Sequence, residues 1–214
     1  MMEQSLRADV IKIALDMLST GLNKGKTGNV SARVDGGFLI TPSGVDYAAL
    51  GPADIALMNM NGDSVGPLKP SSEWRFHRDI YLNRADVGAV VHAHSPFCTA
   101  LACVAMAIPA FHYMVAVAGG RDIRCAPYAT FGTQALSDRA VIALDGRKAC
   151  LLANHGMIAV GGTLAQALAV ASEVESLAEQ YWRALQIGRP IILEDDEMDL
   201  VLEKFKSYGE SAQK

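Results

Sequence analysis

Apolar side chains at Leu6, Val10, Ile13, Ala14, Met17 and Leu18 recur at three- and four-residue intervals, which predicts an amphipathic helix over 5–22. The pattern then changes. Val30, Ala32 and Val34 alternate with their neighbours, run into Asp35-Gly36-Gly37 and resume at Phe38-Leu39-Ile40, the signature of a β-hairpin around a glycine-rich turn. Residues 55–60 followed by Asn61-Gly62-Asp63 predict a further strand and turn. After Pro70, Ser71 or Ser72 is placed to cap a helix over 73–83. Strands are predicted at 88–94 and 123–126, and helices from Pro96 and over 133–144. Apolar runs at 148–153 and 157–160 are split by Asn154-His155-Gly156.

Thr163 with Gln166 three residues on forms a capping box. A long helix follows to Ile187, its stripe running through Leu164, Leu168, Ala171, Val174, Leu177, Tyr181 and Leu185, and Gly188 and Pro190 end it. An acidic turn over 194–197 opens a last short helix. The alternation predicts one domain over 1–214, a mixed α/β fold on a central, largely antiparallel sheet.

Composition narrows the function classes. The 214 residues carry a net charge of −4, so the basic footprint of a nucleic-acid binder is absent. No apolar run is long enough to span a membrane, and no basic segment leads an apolar run at the N-terminus, so a cytoplasmic protein is expected. Cys98, Cys103, Cys125 and Cys150 form no CxxC pair and read as reduced thiols. No GxGxxG or GxxxxGK[ST] fingerprint appears, which argues against dinucleotide and P-loop nucleotide binding.

The candidate chemistry lies elsewhere. His92 and His94 stand at i and i+2 of a strand and face the same side. His155 follows another apolar strand at the point where a sheet edge meets a loop. Three neutral imidazoles with an open fourth position is the arrangement of a catalytic zinc site, the alternative being histidines satisfied within a core. Ser71-Ser72-Glu73 at a helix start is either a plain cap or an anion site with a carboxylate beside it. The turns Thr27-Gly28-Asn29 and Thr41-Pro42-Ser43-Gly44 are either ordinary turns or places where glycine lets a ligand approach the backbone. His112-Tyr113, Trp74 and Trp182 read as packing residues on pattern alone.

The strings GNVSARVDGGFLITPSG, PSSEWRFH, AVVHAHSPFCTALA, IPAFHYM, CAPYATFGT and NHGMIAV closely resemble the class II aldolase/adducin family, and within it the L-fuculose-1-phosphate aldolases. The resemblance covers almost the whole chain. It implies a three-layer fold with a central antiparallel sheet flanked by helices, a C4 homotetramer, and active sites at subunit interfaces. It implies one Zn²⁺ per subunit held by His92, His94 and His155, with Glu73 as acid/base that also completes the metal shell when substrate is absent. Gly28, Asn29, Ser43, Gly44, Ser71 and Ser72 would hold a substrate phosphate. Tyr113 would reach in from a neighbouring subunit as a proton donor, and Tyr208 would help position the aldehyde fragment. The implied reaction cleaves a ketose 1-phosphate to dihydroxyacetone phosphate and an aldehyde. L-fuculose 1-phosphate is the first expectation, with 5-deoxyribulose and 5-methylthioribulose 1-phosphates as alternatives. A sugar-phosphate 4-epimerase, a methylthioribulose-1-phosphate dehydratase and a non-catalytic adducin-like domain are the competing readings. Glu73, where the epimerases carry Asp, favours the aldolase. Ser43 for an expected threonine, and departures after His94 and before His155, leave the aldehyde open.

Overall fold

The computed structural model describes residues 2–207. Among these, eight strands form one sheet in the order β4-β3-β2-β1-β5-β8-β7-β6. The strands are β1 (Asn29–Val34), β2 (Gly37–Ile40), β3 (Ala56–Asn59), β4 (Ser64–Val65), β5 (Ala89–Ala93), β6 (Cys125–Ala126), β7 (Ala149–Leu152) and β8 (Gly156–Gly161). Every pairing is antiparallel except β6 with β7. The expected antiparallel sheet is therefore present, with one parallel edge.

The side chains of the strands alternate between two cores, as the period of two requires. Ala89, Val91 and Ala93 of β5 and Met157 and Ala159 of β8 join the core under α1 (Met2–Ser19), α3 (Pro96–Cys103) and α5 (Leu164–Ile187). Val90, Ile158 and Val160 join the opposite core under α2 (Trp74–Asn83) and α4 (Gln134–Ala143). Helices thus cover both faces, and α6 (Asp195–Ser207) packs on a 3₁₀ helix at Tyr113–Ala118 that the apolar pattern did not reveal. Trp74 packs against the second core, whereas the Trp182 ring lies tilted against Phe97, centroids 5.6 Å apart, and stays 41% exposed. All four cysteines are free; two of them, Cys98 and Cys150, are buried. Among the described residues no helix is long and apolar enough to cross a membrane.

Two helices differ from expectation at their ends. The first helix begins at Met2 and stops at Ser19, where Thr20 and Gly21 fold back onto the last turn. Neither serine of Ser71-Ser72 caps α2: Glu73 occupies the cap position, and its own amide donates to Ser71 Oγ at 3.3 Å. Ser71 stays tied to the helix start through its hydroxyl and its carbonyl, and both serines line a cleft. Thr163 does cap α5, accepting from the Gln166 amide at 3.2 Å.

Candidate metal centre

β1 and β5 pair so that Asn29 lies opposite His92 and Ser31 opposite Val90. All four face α2, because the alternate residues Val30, Ala32, Val91 and Ala93 face the other core. The apolar alternation of these strands is interrupted on the α2 side by polar groups. Glu73 at the start of α2 and His77 one turn later meet them there.

His94, just past β5, continues the same face, and a tight turn between β7 and β8 delivers His155. That turn needs Asn154 in the left-handed region at φ 55°, which asparagine tolerates better than most residues. The Asn154 amide is tied to the Ala102 carbonyl at 2.9 Å, anchoring the turn to α3. The three imidazole rings meet edge to face with centroids 4.8–4.9 Å apart.

The donor atoms converge. His92 Nε2 lies 3.0 Å from His94 Nε2 and 3.2 Å from Glu73 Oε2, and His155 Nε2 lies 3.1 Å from Glu73 Oε1. A tetrahedral zinc with ligands at about 2.0–2.1 Å has ligand–ligand edges of roughly 3.3 Å, close to these spacings. His92 Nδ1 donates to the Met157 carbonyl at 2.8 Å, which leaves Nε2 as a bare lone pair facing the cluster. Glu73 Oε1 is buried and accepts no hydrogen bond despite its nearness to His155. Converging lone pairs and an orphaned carboxylate oxygen fit a divalent cation, and Glu73, His92, His94 and His155 can supply four ligand atoms within 4.8 Å of one another.

The protonation states agree with that role. Burial, aided by His92 and His155 nearby, pushes His94 down to about 4, so it is neutral near pH 7. Burial alone would raise the Glu73 carboxyl, but the adjoining imidazoles outweigh it and hold it well below the usual carboxylate range.

Beside the cluster opens a cleft of about 280 Å³. Gly28, Asn29, Ser43, Gly44, Ser71, Ser72, Glu73, His94 and His155 all line it, so the structure gathers these expected residues into one site. His92 sits beneath them, fully buried. Tyr113 does not join: it is 52% exposed, stacked on His112 at 4.9 Å, and is not among the residues that line the cleft. Tyr208 lies outside the described residues.

Sequence reasoning missed several groups. Lys26 contributes a cation to the cleft, and Tyr128 and Phe131 contribute exposed aromatic faces, 55% and 65% exposed. Buried Asn23 was also missed; its Oδ1 accepts from the His94 amide at 2.8 Å and its Nδ2 donates to the Thr27 carbonyl at 2.9 Å. The lysine and the aromatics sit in turns without periodicity, where only the tertiary arrangement gives them meaning.

Residues 8–182 match the model described as the Class II Aldolase and Adducin N-terminal domain. The chain belongs to the class II aldolase and adducin family. Within it the chain is a class II aldolase, a metal-dependent aldehyde-lyase. It is 60% identical over 98% of its length, and 95% of the relative, to a 5-methylthioribulose-1-phosphate/5-deoxyribulose-1-phosphate aldolase of Rhodospirillum rubrum. It is 48% identical to the L-fuculose phosphate aldolase of Escherichia coli strain K12, with 98% of each chain covered. A solved L-fuculose 1-phosphate aldolase superposes on this class II aldolase with a TM-score of 0.92 and 43% identity, covering 94% of this chain and 96% of that one. The family and fold expectations hold. The substrate expectation moves, because a methylthioribulose/deoxyribulose aldolase is more similar to this chain than that fuculose aldolase is.

Proposed function

We propose that this class II aldolase cleaves 5-methylthioribulose 1-phosphate and 5-deoxyribulose 1-phosphate to dihydroxyacetone phosphate and an apolar two-carbon aldehyde, methylthioacetaldehyde or acetaldehyde. The carrying observation is the carboxylate of Glu73 set among three imidazole nitrogens at the wall of a cleft rich in hydroxyl and backbone donors. The 60% identical relative supports the choice of substrate, and so do the aromatic faces of Tyr128 and Phe131, suited to a methyl or methylthio group. L-Fuculose 1-phosphate would place an extra hydroxyl beside those faces.

His92, His94 and His155, with Glu73 in the resting state, would hold one zinc ion. When bound, the ion supplies Lewis-acid stabilisation of the negative charge that develops on the substrate's oxygens. Neutral imidazoles leave its charge undiminished. Glu73 is the acid/base. In the condensation direction it takes the C3 proton of dihydroxyacetone phosphate, and C3 then bonds to the aldehyde carbon. Tyr113 of a neighbouring copy gives a proton to the aldehyde oxygen, which becomes the C4 hydroxyl. Cleavage runs these steps backwards, with the electron pair of the C3–C4 bond left on C3 until Glu73 returns the proton. Ser43, Gly44, Ser71 and Ser72, with Gly28 and Asn29, hold the phosphate, and Lys26 adds the one cation a phosphate dianion calls for. The placement of Tyr113, half exposed and not among the residues that line its own cleft, suits a residue donated to a neighbour's site in a cytoplasmic C4 tetramer. Tyr208, outside the described residues, would help position the aldehyde fragment.

The test is a kinetic comparison of the three phosphates, with metal analysis. The reading expects stoichiometric zinc, loss of turnover on chelation, and kcat/KM for the two ribulose phosphates above L-fuculose 1-phosphate by about 10–100-fold, the most an apolar pocket discriminates against one hydroxyl. A preference for L-fuculose 1-phosphate would return the substrate to the first expectation. Full turnover by metal-free protein would remove the mechanism.

A further inference from the structure

Behind the metal centre, four polar side chains form an unbroken line through what is otherwise an apolar core. Asn29 Nδ2 donates to Glu73 Oε2 at 2.9 Å. Asn29 Oδ1 meets His77 Nε2 at 2.5 Å, His77 Nδ1 meets Ser31 Oγ at 2.7 Å, and Ser31 Oγ meets the Tyr81 hydroxyl at 2.7 Å. Asn29 is 3% exposed, Tyr81 2%, and Ser31 and His77 not at all. The far end is held by Arg33, whose guanidinium lies 4.7 Å from the Tyr81 ring centre and donates to the Tyr81 carbonyl.

The direction of every bond follows from one fact. An ionised carboxylate only accepts. Asn29 must therefore turn its NH₂ to Glu73 and its oxygen to His77. That oxygen demands a proton on His77 Nε2, so Nδ1 is bare and accepts from the Ser31 hydroxyl. Ser31, having donated, accepts from Tyr81. No member can reverse alone, and chains of this kind polarise one another in a low-dielectric interior. Only one oxygen of Glu73 is engaged by the line; Oε1 is left without a hydrogen bond.

We propose that Ser31, His77 and Tyr81 are positioning residues of the reaction: acting through Asn29, they pin Glu73 Oε2 and leave Oε1 as the oxygen that takes and returns the C3 proton. Asn29, read from the sequence as a phosphate ligand, is on this view first an orienter of the base. The proposal rests on Glu73 being the acid/base. The Ser31–His77–Tyr81 line has no contact with the cleft, so its effect should appear in kcat and not in substrate affinity.

The experiment uses the zinc-loaded full chain, as wild type and as His77→Phe, His77→Gln and Tyr81→Phe. Ring-¹⁵N spectra locate the His77 proton, with His77→Gln giving the assignment. Zinc content, kcat, KM, and exchange of the C3 proton of dihydroxyacetone phosphate with deuterated solvent are read on each. The expected results are a His77 proton on Nε2, unchanged zinc stoichiometry, and a fall of about 10–100-fold in kcat and C3 exchange for His77→Phe with KM little changed. His77→Gln, whose amide can still donate to Asn29, should recover most of that loss, and Tyr81→Phe should show a smaller fall of the same kind. A proton on Nδ1 overturns the proposal, as does normal C3 exchange in His77→Phe. Where His77→Phe fails to fold, Tyr81→Phe and Ser31→Ala decide, and normal exchange in both is the overturning result. Absence of C3 exchange in the wild type would instead remove the aldolase reading of Glu73, while the ring-nitrogen result still judges the direction of the line.

Discussion

Gly28→Ala tests whether the glycine before β1 serves the ligand or the scaffold. Gly28 sits at φ 75°, and a Cβ there would lie 2.0 Å from Asn23 Nδ2 and 2.6 Å from the His92 carbonyl oxygen. The left-handed backbone alone costs about 1–2 kcal/mol in any residue but glycine. The clash adds to it. Asn23 would have to leave its position, breaking its bonds to the Thr27 carbonyl and the His94 amide. Each lost bond costs about 1 kcal/mol, and more if its buried partner stays unpaired, so the total should reach roughly 3–5 kcal/mol. Gly36→Ala is the control: it has φ 73° in the hairpin turn and open space around the Cβ position, so it should show the backbone cost alone. Urea unfolding measures both. Zinc affinity should fall only in Gly28→Ala, because Asn23 holds the backbone of one ligand. If the two variants lost equal stability and bound zinc equally well, the packing argument would be refuted and Gly28 would return to a purely ligand-facing role.

Three further outcomes follow from the same geometry. Glu175 on α5 accepts from Ser95 Oγ at 2.6 Å and from the Phe97 and Cys98 amides at 2.8 and 2.9 Å; Glu175→Ala should cost about 1–2 kcal/mol by uncapping α3, measured by unfolding, and should loosen the adjoining His94. Asp79 binds Ser137 Oγ and Gln134 Nε2, both at 2.6 Å, and Arg78 at 2.7 Å. Burial opposes its ionisation, but these partners prevail and hold it below its ordinary 3.8. Since the folded pKa is depressed, the stabilisation is present above about pH 4 and lost as pH falls through that range, so the Tm gap between wild type and Asp79→Asn should narrow from pH 7 toward pH 3. Co-expressed Glu73→Gln and Tyr113→Phe chains should recover activity at roughly a quarter of the sites if each site joins two copies in a ring, whereas no recovery would place Tyr113 outside the reaction.

Much of this protein could be read along the chain. Strand alternation in 29–34 and 88–94 and the helical stripe of 164–187 reflect burial on one face, which repeats with the local geometry and so leaves a local trace. His92 and His94 share a face for the same reason, but as candidate ligands they needed His155 and the family resemblance beside them. What the chain could not show is which strands become neighbours. The register that sets Asn29 against His92 brings Glu73, His77, Ser31 and Tyr81 to the same point from residues as many as 50 apart. Ser71 and Ser72 looked like caps because capping is decided within a few residues; Glu73 takes the cap position, and both serines line the cleft. Lys26, Tyr128 and Phe131 lie in turns with no periodic constraint, so nothing local marked them. Periodicity determined the layers and put His92 and His94 on one face, while strand order and register decided which polar groups were buried together, because burying them is tolerable only where each finds its partner.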